Sequence, residues 1–177
     1  MGMNFFDAAA LIREIPDYPK PGILFRDITP LLADGDAFKA TITYIDEVAP
    51  ECDLVAGAEA RGFIFASALA LHRGIGFIPL RKPGKLPGNF RSKSYGLEYG
   101  EDQLQVHEGQ IPSGARVLFI DDVLATGGTA AAGISLLREV DAVVTTALFL
   151  LEIDGLGGRQ RIQESCPDVA IISLVRG

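Results

Sequence analysis

The segment at residues 117–129, VLFIDDVLATGGT, carries the residue types best suited to chemistry in this chain. Its first four residues are apolar and predict a buried strand that meets the carboxylates of Asp121 and Asp122. A turn rich in threonine and glycine then opens an alanine-rich helix. The backbone N–H groups of Gly127 and Gly128, with the positive end of that helix, can hold one anion such as a phosphate group.

The neighbouring side chains indicate what else would bind there. Thr126 and Thr129 can add hydroxyl donors to the phosphate. The two carboxylates repel a bare phosphate, so they are expected to face the paired hydroxyls of a sugar or a hydrated Mg²⁺.

Two other interpretations of the same segment are less favoured. An apolar strand ending in two acids also occurs in nucleoside triphosphatases, but their phosphate loop requires Ser or Thr after Gly-Lys, and here Leu86 follows Gly84 and Lys85. Acids at strand ends also serve as helix caps. The ATGGT sequence directly after the acids favours a site for a sugar phosphate.

Alternating apolar runs and turns predict the elements that position these groups. Asn4 is a candidate helix cap, and Gly74 a candidate left-handed helix end. The patterns predict helices at 4–15, 34–48, 62–73 and 127–140, strands at 53–58, 76–80, 116–120 and 143–153, and a hairpin of 94–99 with 103–107. This alternation predicts a mainly parallel sheet with helices on both faces, and Glu59, Arg81 and Asp121 would lie at the carboxyl ends of its strands.

Composition excludes several classes of protein. The chain has 177 residues, 48% of them hydrophobic and 22% charged, without repeats or low-complexity tracts, which predicts one globular domain. Its apolar runs are too short for a membrane span and no secretory pattern begins the chain, so a cytoplasmic location is the default. A net charge of −7 argues against a nucleic-acid binder.

Basic residues are nevertheless concentrated in one segment broken by glycine and proline. Five of the sixteen Lys and Arg residues lie in residues 81–93 with no acid among them: Arg81, Lys82, Lys85, Arg91 and Lys93. The acidic chain therefore concentrates positive charge in one predicted loop.

The cysteines and histidines do not form a metal-binding pattern. Cys52 and Cys166 lack motif spacing and are expected to be reduced thiols. His72 and His107 have no second ligand nearby in the sequence, so no zinc site is predicted.

Residues 117–129 resemble the phosphoribosyl-pyrophosphate (PRPP) signature of the type I phosphoribosyltransferase family. Further motifs in the family's order and spacing narrow the resemblance to its adenine-specific members: PGILFRDITP at 21–30, AGAEARGF at 56–63, RKPGKLPG at 81–88 and SYGLEYG at 94–100. The resemblance implies the family's α/β fold in a single domain at 1–177. A helix and base-covering hood would occupy 1–33, and a flexible lid and hairpin 81–103.

The resemblance also implies a reaction: adenine and PRPP give AMP and diphosphate, a step of purine salvage. It implies Mg²⁺ as cofactor, carried by the diphosphate rather than by direct protein ligands, near Asp121 or Asp122 through water. Members of the family are usually homodimers, which is therefore the expected state.

Residue roles follow from the resemblance position by position. The 5′-phosphate would bind Ala125, Thr126, Gly127, Gly128 and Thr129, and the ribose hydroxyls Asp121 and Asp122. The diphosphate would bind Arg61, Lys82, Lys85 and Arg81. Catalysis would involve Glu98 as the acceptor of the adenine proton, with Arg61, and Tyr99 beside the sugar and base.

Adenine recognition would use the hood. Backbone groups at Leu24 and Arg26 would read the amino edge, while Phe25 and Val123 would pack on the two faces of the base. A site that accepts a hydrogen bond from an exocyclic amine disfavours oxo purines. Alternatives that remain are a transferase for hypoxanthine or xanthine, and a regulator that senses PRPP.

Three details fall outside what the resemblance decides. Residues 89–93 match no family pattern, so the roles of Arg91 and Lys93 are open. Many relatives have glycine where this chain has Asp141, and Asp is expected to tolerate left-handed geometry there. Family members often have a cis peptide at the position of Glu59 and Ala60, which sequence alone does not reveal.

Overall fold

The first part of the chain forms short helices and a two-stranded sheet. The computed structural model describes residues 2–96 and 101–177, and its contacts group the chain into two compact units, 1–48 and 49–177. The first unit contains α1 (Phe5–Ala9), β1 (Arg13–Ile15), β2 (Phe25–Asp27), α2 (Thr29–Ala33) and α3 (Gly35–Val48). Asn4 caps α1 as predicted, because its side chain accepts a hydrogen bond from Asp7 N at 3.0 Å.

The predicted helix at 4–15 is wrong beyond Ala9. Residues 13–15 instead form β1, which pairs antiparallel with β2. Arg13 also binds the Asp27 carboxylate at 2.6 Å, so partners distant in sequence outweigh the helical spacing of the apolar residues. Leu11 and Ile12 still pack on the small apolar core of this unit. Strand β2 and helix α2 were not predicted.

The second unit is built on a parallel sheet. Its elements are β3 (Leu54–Ala58), α4 (Gly62–Arg73), β4 (Gly76–Leu80), β5 (Phe90–Gly96), β6 (Glu101–His107), β7 (Val117–Leu124), α5 (Gly128–Glu139), β8 (Thr146–Glu152), α6 (Gly158–Ser165) and β9 (Ala170–Arg176). Within the described residues, five strands form the sheet in the order β4-β3-β7-β8-β9, and every neighbouring pair is parallel. Strands β5 and β6 form a separate antiparallel pair. The prediction of an α/β fold with a mainly parallel sheet flanked by helices is confirmed.

The direction of winding changes between β3 and β7. From β3 the chain passes through α4 to β4 on one side, and from β7 it passes through α5, β8 and α6 to β9 on the other. Ligands of open parallel sheets bind at the carboxyl ends of strands where the winding direction changes. The fold therefore directs a ligand to the loops that follow β3 and β7.

An apolar core fixes these strands. All seven residues of β8 are buried, and Phe119 and Phe149 lie within the sheet's core with ring centroids 6.2 Å apart. Helix α5 packs closely against the sheet because Gly133 has no side chain: a Cβ there would lie 2.6 Å from the Phe119 ring. Close approach of α5 sets the position of the turn at its start.

Several predicted boundaries in this unit need correction. Arg91 and Lys93 lie on strand β5 rather than in a loop, because residues 90–96 pair with β6. Strand β7 continues through both acids to Leu124, since it stays paired with β8 after β3 has ended. Strand β8 begins at Thr146, and α6 and β9 were not predicted.

Other predictions of local structure are confirmed. The helices at 34–48, 62–73 and 127–140 are present within one residue of their predicted ends, Gly74 ends α4 with φ of 68°, and Asp141 adopts φ of 64°. Cys52 and Cys166 are buried free thiols. Within residues 2–96 and 101–177, no helix is both long and apolar enough to cross a membrane.

Candidate active site

A cleft of about 340 Å³ opens where the winding direction of the sheet changes. The loop after β3 supplies one wall through residues 59–61, and the end of β7 with the first turn of α5 supplies the other through residues 121–130. Lys82, which follows β4, completes the lining. Carboxylates, a guanidinium, an ammonium and a helix start therefore converge on one space.

The turn at residues 125–128 has the geometry of an anion site. Gly127 adopts φ of 76°, the left-handed region that favours glycine, and caps α5. The first N–H groups of a helix have no partners within the helix, so they are available to a ligand at this end. Thr126 is exposed beside them and Thr129 is half-buried.

Helix α6 holds this turn from behind. A Cβ at Gly158 would lie 2.1 Å from the Ala125 carbonyl oxygen, and a Cβ at Gly127 would lie 2.4 Å from the Gly158 carbonyl oxygen. The two backbones touch at these glycines with no room for a side chain. We refer to residues 125–129 as the phosphate loop, and α6 is its support.

Asp121 and Asp122 are close together and largely shielded from water. Asp121 Oδ1 accepts a hydrogen bond from Asp122 N at 2.9 Å, and it lies so near α4 that a Cβ at Gly62 would be 2.8 Å away. Burial, and then the negative charge of Asp122, raise the pKa of Asp121 well above its usual range. Burial also raises the pKa of Asp122, although Arg61 Nε lies 2.9 Å from its Oδ2 and opposes the rise.

A carboxyl pair of this kind is suited to neutral hydrogen-bonding groups. Sugar hydroxyls donate to carboxylate oxygens and compensate for the lost water. The adjacent Arg61 supplies positive charge to the same wall of the cleft. This arrangement can hold a sugar with an anionic substituent on each side.

Glu59 organises the segment between β3 and β4. The Glu59–Ala60 peptide is cis. Glu59 Oε2 accepts hydrogen bonds from Lys82 N at 2.7 Å and Arg81 Nε at 3.0 Å. Burial raises the pKa of Glu59, but these bonds and the nearby cations outweigh it, so the pKa lies below its usual value. Arg81 is directed to Glu59 and does not line the cleft.

Lys82 has partners of its own. Its Nζ donates to the Tyr95 hydroxyl at 2.8 Å and forms an ion pair with Asp102. The Tyr95 hydroxyl is also 2.9 Å from Asp102 Oδ2 and 3.3 Å from Thr129 Oγ1. The sequence offered no signal for Asp102, while Tyr95 lies in the SYGLEYG motif without having been singled out.

The structure brings together most, though not all, of the residues predicted to bind ligands. The cleft is lined by Arg61, Lys82, Asp121, Asp122, Val123, Ala125, Thr126, Gly127, Gly128 and Thr129. Lys85 is exposed and, like Arg81, is not among the lining residues. Glu98 and Tyr99 lie outside the described residues. No site role was predicted for Glu59 or Gly158. The contact between the phosphate loop and α6 is signalled in the sequence by the pairs of adjacent glycines at 127–128 and 157–158.

The residues predicted to read adenine belong to the unit of residues 1–48. Leu24 is exposed, and Phe25 and Arg26 are half-buried on β2. The Phe25 ring packs edge-on against Tyr18 with centroids 5.2 Å apart. The Arg26 side chain forms an ion pair with Glu14 on β1, which leaves its backbone as the part for base recognition in the predicted scheme.

A parallel sheet with an acidic strand end and a glycine-rich turn at its change of winding is the arrangement of the phosphoribosyltransferase fold. Residues 36–173 match the phosphoribosyl transferase domain family. The chain is 52% identical over 173 residues to the adenine phosphoribosyltransferase of Dichelobacter nodosus, covering 94% of this chain and 95% of that protein. The chain belongs to the adenine phosphoribosyltransferase family.

Solved structures of relatives agree with this assignment. The adenine phosphoribosyltransferase of Thermoanaerobacter pseudethanolicus superimposes with a TM-score of 0.90 at 43% identity, covering 98% of this chain and 100% of that one. The enzyme of Saccharomyces cerevisiae, complexed with an imino-altritol bisphosphate and adenine, gives a TM-score of 0.87 at 34% identity, covering 96% of this chain and 97% of that one.

Proposed function

We propose that this protein transfers the phosphoribosyl group of PRPP to adenine, giving AMP and diphosphate. The observation that carries the proposal is the cleft that joins the phosphate loop, the Asp121–Asp122 pair and Arg61 in one space. Membership of the adenine phosphoribosyltransferase family and the adenine held by the S. cerevisiae relative support adenine as the base.

The reaction exchanges one bond at C1 of the ribose for another. The bond from C1 to a diphosphate oxygen breaks, and C1 bonds to an imidazole-ring nitrogen of adenine, whose other ring nitrogen loses its proton. Positive charge develops on the ribose and negative charge on the leaving diphosphate, so stabilising that negative charge lowers the barrier. Arg61 and Lys82 supply positive charge at the cleft for this purpose, with Arg81 and Lys85 beside them.

The remaining roles are orientation and proton transfer. The phosphate loop would hold the 5′-phosphate and the Asp121–Asp122 pair the ribose hydroxyls, so that binding remote from C1 orients the reacting atoms. By resemblance to the family, Glu98 would accept the adenine proton and Tyr99 would lie beside the sugar and base. Leu24, Phe25 and Arg26, with Val123, would recognise the base.

The carboxylate pair fits a magnesium ion bound through water. Carboxylate oxygens are the ligands that Mg²⁺ prefers, and the ion retains several waters when it accompanies phosphates. Arg61 occupies one oxygen of Asp122, which favours an indirect contact over direct ligation. When bound with the diphosphate, Mg²⁺ would supply further charge neutralisation to the leaving group.

The proposal extends to organisation and location on the basis of the family. The chain would act as a single catalytic domain at 1–177, as a homodimer, in the cytoplasm.

Base competition with a matched control tests the proposed function. Purified protein with PRPP and Mg²⁺ is offered adenine, hypoxanthine, guanine and xanthine separately, and nucleotide formation is measured. We expect turnover with adenine alone. Turnover of an oxo purine would contradict adenine recognition by residues 24–26, and turnover with no base would favour a PRPP sensor.

The same assay tests the ribose site. In Asp122→Asn we expect the KM for PRPP to rise about tenfold or more, because a charged hydrogen-bond acceptor is lost from a buried position. Asp53→Asn is the control, since Asp53 also binds an arginine, Arg116, but lies at the amino end of β3, whereas the cleft lies at the carboxyl ends of the strands. Equal effects of the two substitutions would reject the assigned ribose contact.

A further inference from the structure

Tyr95 lies at the centre of a polar cluster that the reaction scheme leaves unexplained. We call Lys82, Tyr95, Asp102 and Thr129 the Tyr95 cluster. Tyr95 and Asp102 are cross-strand partners on β5 and β6, and Tyr95 is only 7% exposed. Lys82 and Thr129 line the cleft on different segments, the first after β4 and the second on the first turn of α5. The cluster thus connects the two ends of the cleft behind its surface.

The hydrogen atoms available in the cluster can be counted. A tyrosine hydroxyl has one proton and can accept further bonds, while a lysine ammonium has three protons and accepts none. Lys82 donates to both Tyr95 and Asp102, which uses two of its three protons. The third is left for an acceptor in the cleft.

The hydroxyl of Tyr95 has three polar neighbours for its single proton. It donates that proton to Asp102 Oδ2 at 2.9 Å, while it accepts from Lys82 Nζ at 2.8 Å and from Thr129 Oγ1 at 3.3 Å. In this arrangement the only proton of the Thr129 hydroxyl is directed to Tyr95. If a phosphate oxygen accepted a hydrogen bond from the Thr129 hydroxyl, that hydroxyl could in turn accept one from Tyr95. Tyr95 could turn away from Asp102 because Lys82 also donates to Asp102.

Packing and charge keep the cluster in place. The Tyr95 ring would touch a Cβ at Gly128 at 3.3 Å, so it also packs against the start of α5. Burial lowers the pKa of Lys82, but its bonds to Asp102 and Tyr95 outweigh this effect and raise the pKa overall. Lys82 is therefore held as a cation with a fixed direction at the rim of the cleft.

We propose that Tyr95 and Asp102 are positioning residues that orient the Lys82 ammonium toward the diphosphate and couple it to Thr129 of the phosphate loop. The inference rests on the proposed function, since it takes PRPP as the ligand of the cleft. Neither residue touches the reacting atoms. One side-chain network thereby joins the groups that bind the two phosphate-bearing ends of the substrate.

Tyr95→Phe isolates the effect, because it removes one hydroxyl and leaves the ring that packs on Gly128. We expect the KM for PRPP to rise about fivefold to twentyfold with kcat within about twofold, because the Lys82 ammonium loses a partner that fixes its direction. Asp102→Asn should also raise the KM, because a charged partner of Lys82 becomes neutral. Tyr44→Phe, which removes a hydroxyl from a ring stacked on Phe5, is the control and should leave the KM unchanged.

A double-mutant cycle separates coupling from general damage. If Tyr95 acts through Lys82, then Tyr95→Phe should change the KM less than about twofold in a Lys82→Met background, because interacting sites are not additive. Calorimetric titration with PRPP and Mg²⁺ should show the same pattern in Kd, and thermal unfolding checks that each variant is folded. Independent, multiplying effects of Tyr95→Phe and Lys82→Met would overturn the proposal, as would a lower KM in Asp102→Asn.

Failure of this inference is distinguishable from failure of the proposed function. A wild-type protein that forms AMP while Tyr95→Phe has an unchanged KM rejects only the role of the Tyr95 cluster. A wild-type protein that binds PRPP without forming AMP rejects the proposed activity, and the calorimetric cycle still decides the coupling. Absence of PRPP binding by the wild-type protein rejects both.

Discussion

Asp121 and Asp122 are carboxylates in an environment that disfavours their charge. Burial raises the pKa of both groups, and the negative charge of Asp122 raises the pKa of Asp121 further. A folded, ligand-free protein therefore retains protons on this pair at pH values where an exposed aspartate has lost them. In the proposed ribose contact the hydroxyls would need the ionised oxygens as acceptors, so ligand binding and protonation would compete at this pair.

The first prediction concerns the pH dependence of substrate affinity. Because burial and the charge of Asp122 raise the pKa of Asp121, we expect the KM for PRPP to increase as the pH is lowered, at pH values where an exposed aspartate would still be ionised. In Asp121→Asn the KM should be higher at the alkaline end by about tenfold and should change less with pH, since the titrating group is absent. Steady-state kinetics across this range measure both slopes.

Ionisation of PRPP itself does not confuse this comparison, because it is the same for both proteins. Asp53→Asn, at the amino end of β3, should keep the wild-type slope. Parallel pH profiles for the wild-type protein and Asp121→Asn would show that another group controls the dependence.

At the scale of elements, the phosphate loop depends on α6. The loop closes backbone-to-backbone on this helix at Gly127 and Gly158. Helix α6 is in turn fixed by Arg159, which binds Glu152 of β8 through two hydrogen bonds of 2.9 and 2.6 Å and Ser173 of β9 at 3.2 Å. The sheet thus determines the position of the phosphate loop through a helix that contributes no lining residue to the cleft.

Gly158→Ala is predicted to damage PRPP binding rather than catalysis. A new Cβ would meet the Ala125 carbonyl oxygen at 2.1 Å, and backbone cannot yield as a flexible side chain can. Displacement of the loop should raise the KM for PRPP about tenfold, because the hydrogen bonds to the 5′-phosphate lose their geometry. The KM for adenine should remain within about twofold.

Gly133→Ala provides a control with a steric clash of a different kind. Its Cβ would meet the Phe119 ring at 2.6 Å within the core. That substitution should lower the melting temperature with little effect on the KM for PRPP. Equal increases in KM for both variants would mean that loss of stability, not loop position, is responsible.

The elements that sequence predicted and those it missed differ in what stabilises them. Helix α4 and strand β3 carry their own signals, a run of apolar residues with a glycine end and a short buried run. Strand β1 has only three residues and exists because Arg13–Ile15 pairs with Phe25–Asp27. The Asp121–Asp122 pair and the phosphate loop were predictable because their residues are adjacent in sequence. The contact of Gly158 with Ala125 and the position of Asp102 depend on tertiary packing, which one sequence does not show.

Each of the two compact units of the chain has its own buried apolar residues. The unit of residues 49–177 has an extensive apolar core around Phe119 and Phe149. In the unit of residues 1–48, a small cluster of Ala8, Leu31 and Ala37 is accompanied by the buried side chains of Phe5, Ile28, Ile42 and Ile45, and polar contacts add to this packing. Its main polar junction is Asp27, which is buried and accepts hydrogen bonds from Thr29 N at 2.9 Å, Thr29 Oγ1 at 2.7 Å and Arg13 Nη2 at 2.6 Å.

Asp27→Asn should therefore destabilise the protein in a pH-dependent manner. The hydrogen bonds from the Thr29 hydroxyl and backbone, with that from Arg13, lower the pKa of Asp27 to about 2. A lowered pKa contributes stability above the pKa of an unfolded aspartate, near 4, and this contribution is lost as the pH falls toward about 2. Urea unfolding should show a lower free energy of unfolding for Asp27→Asn than for the wild-type protein at pH of about 7, with the difference shrinking below a pH of about 4.

Asp36→Asn, an exposed change at the start of α3, is the control and should lower the free energy of unfolding by only a few tenths of a kcal/mol, about the value of one charge at a helix N-terminus. A difference for Asp27→Asn that stayed constant across the acid range would assign the loss to packing rather than to the charge of this carboxylate.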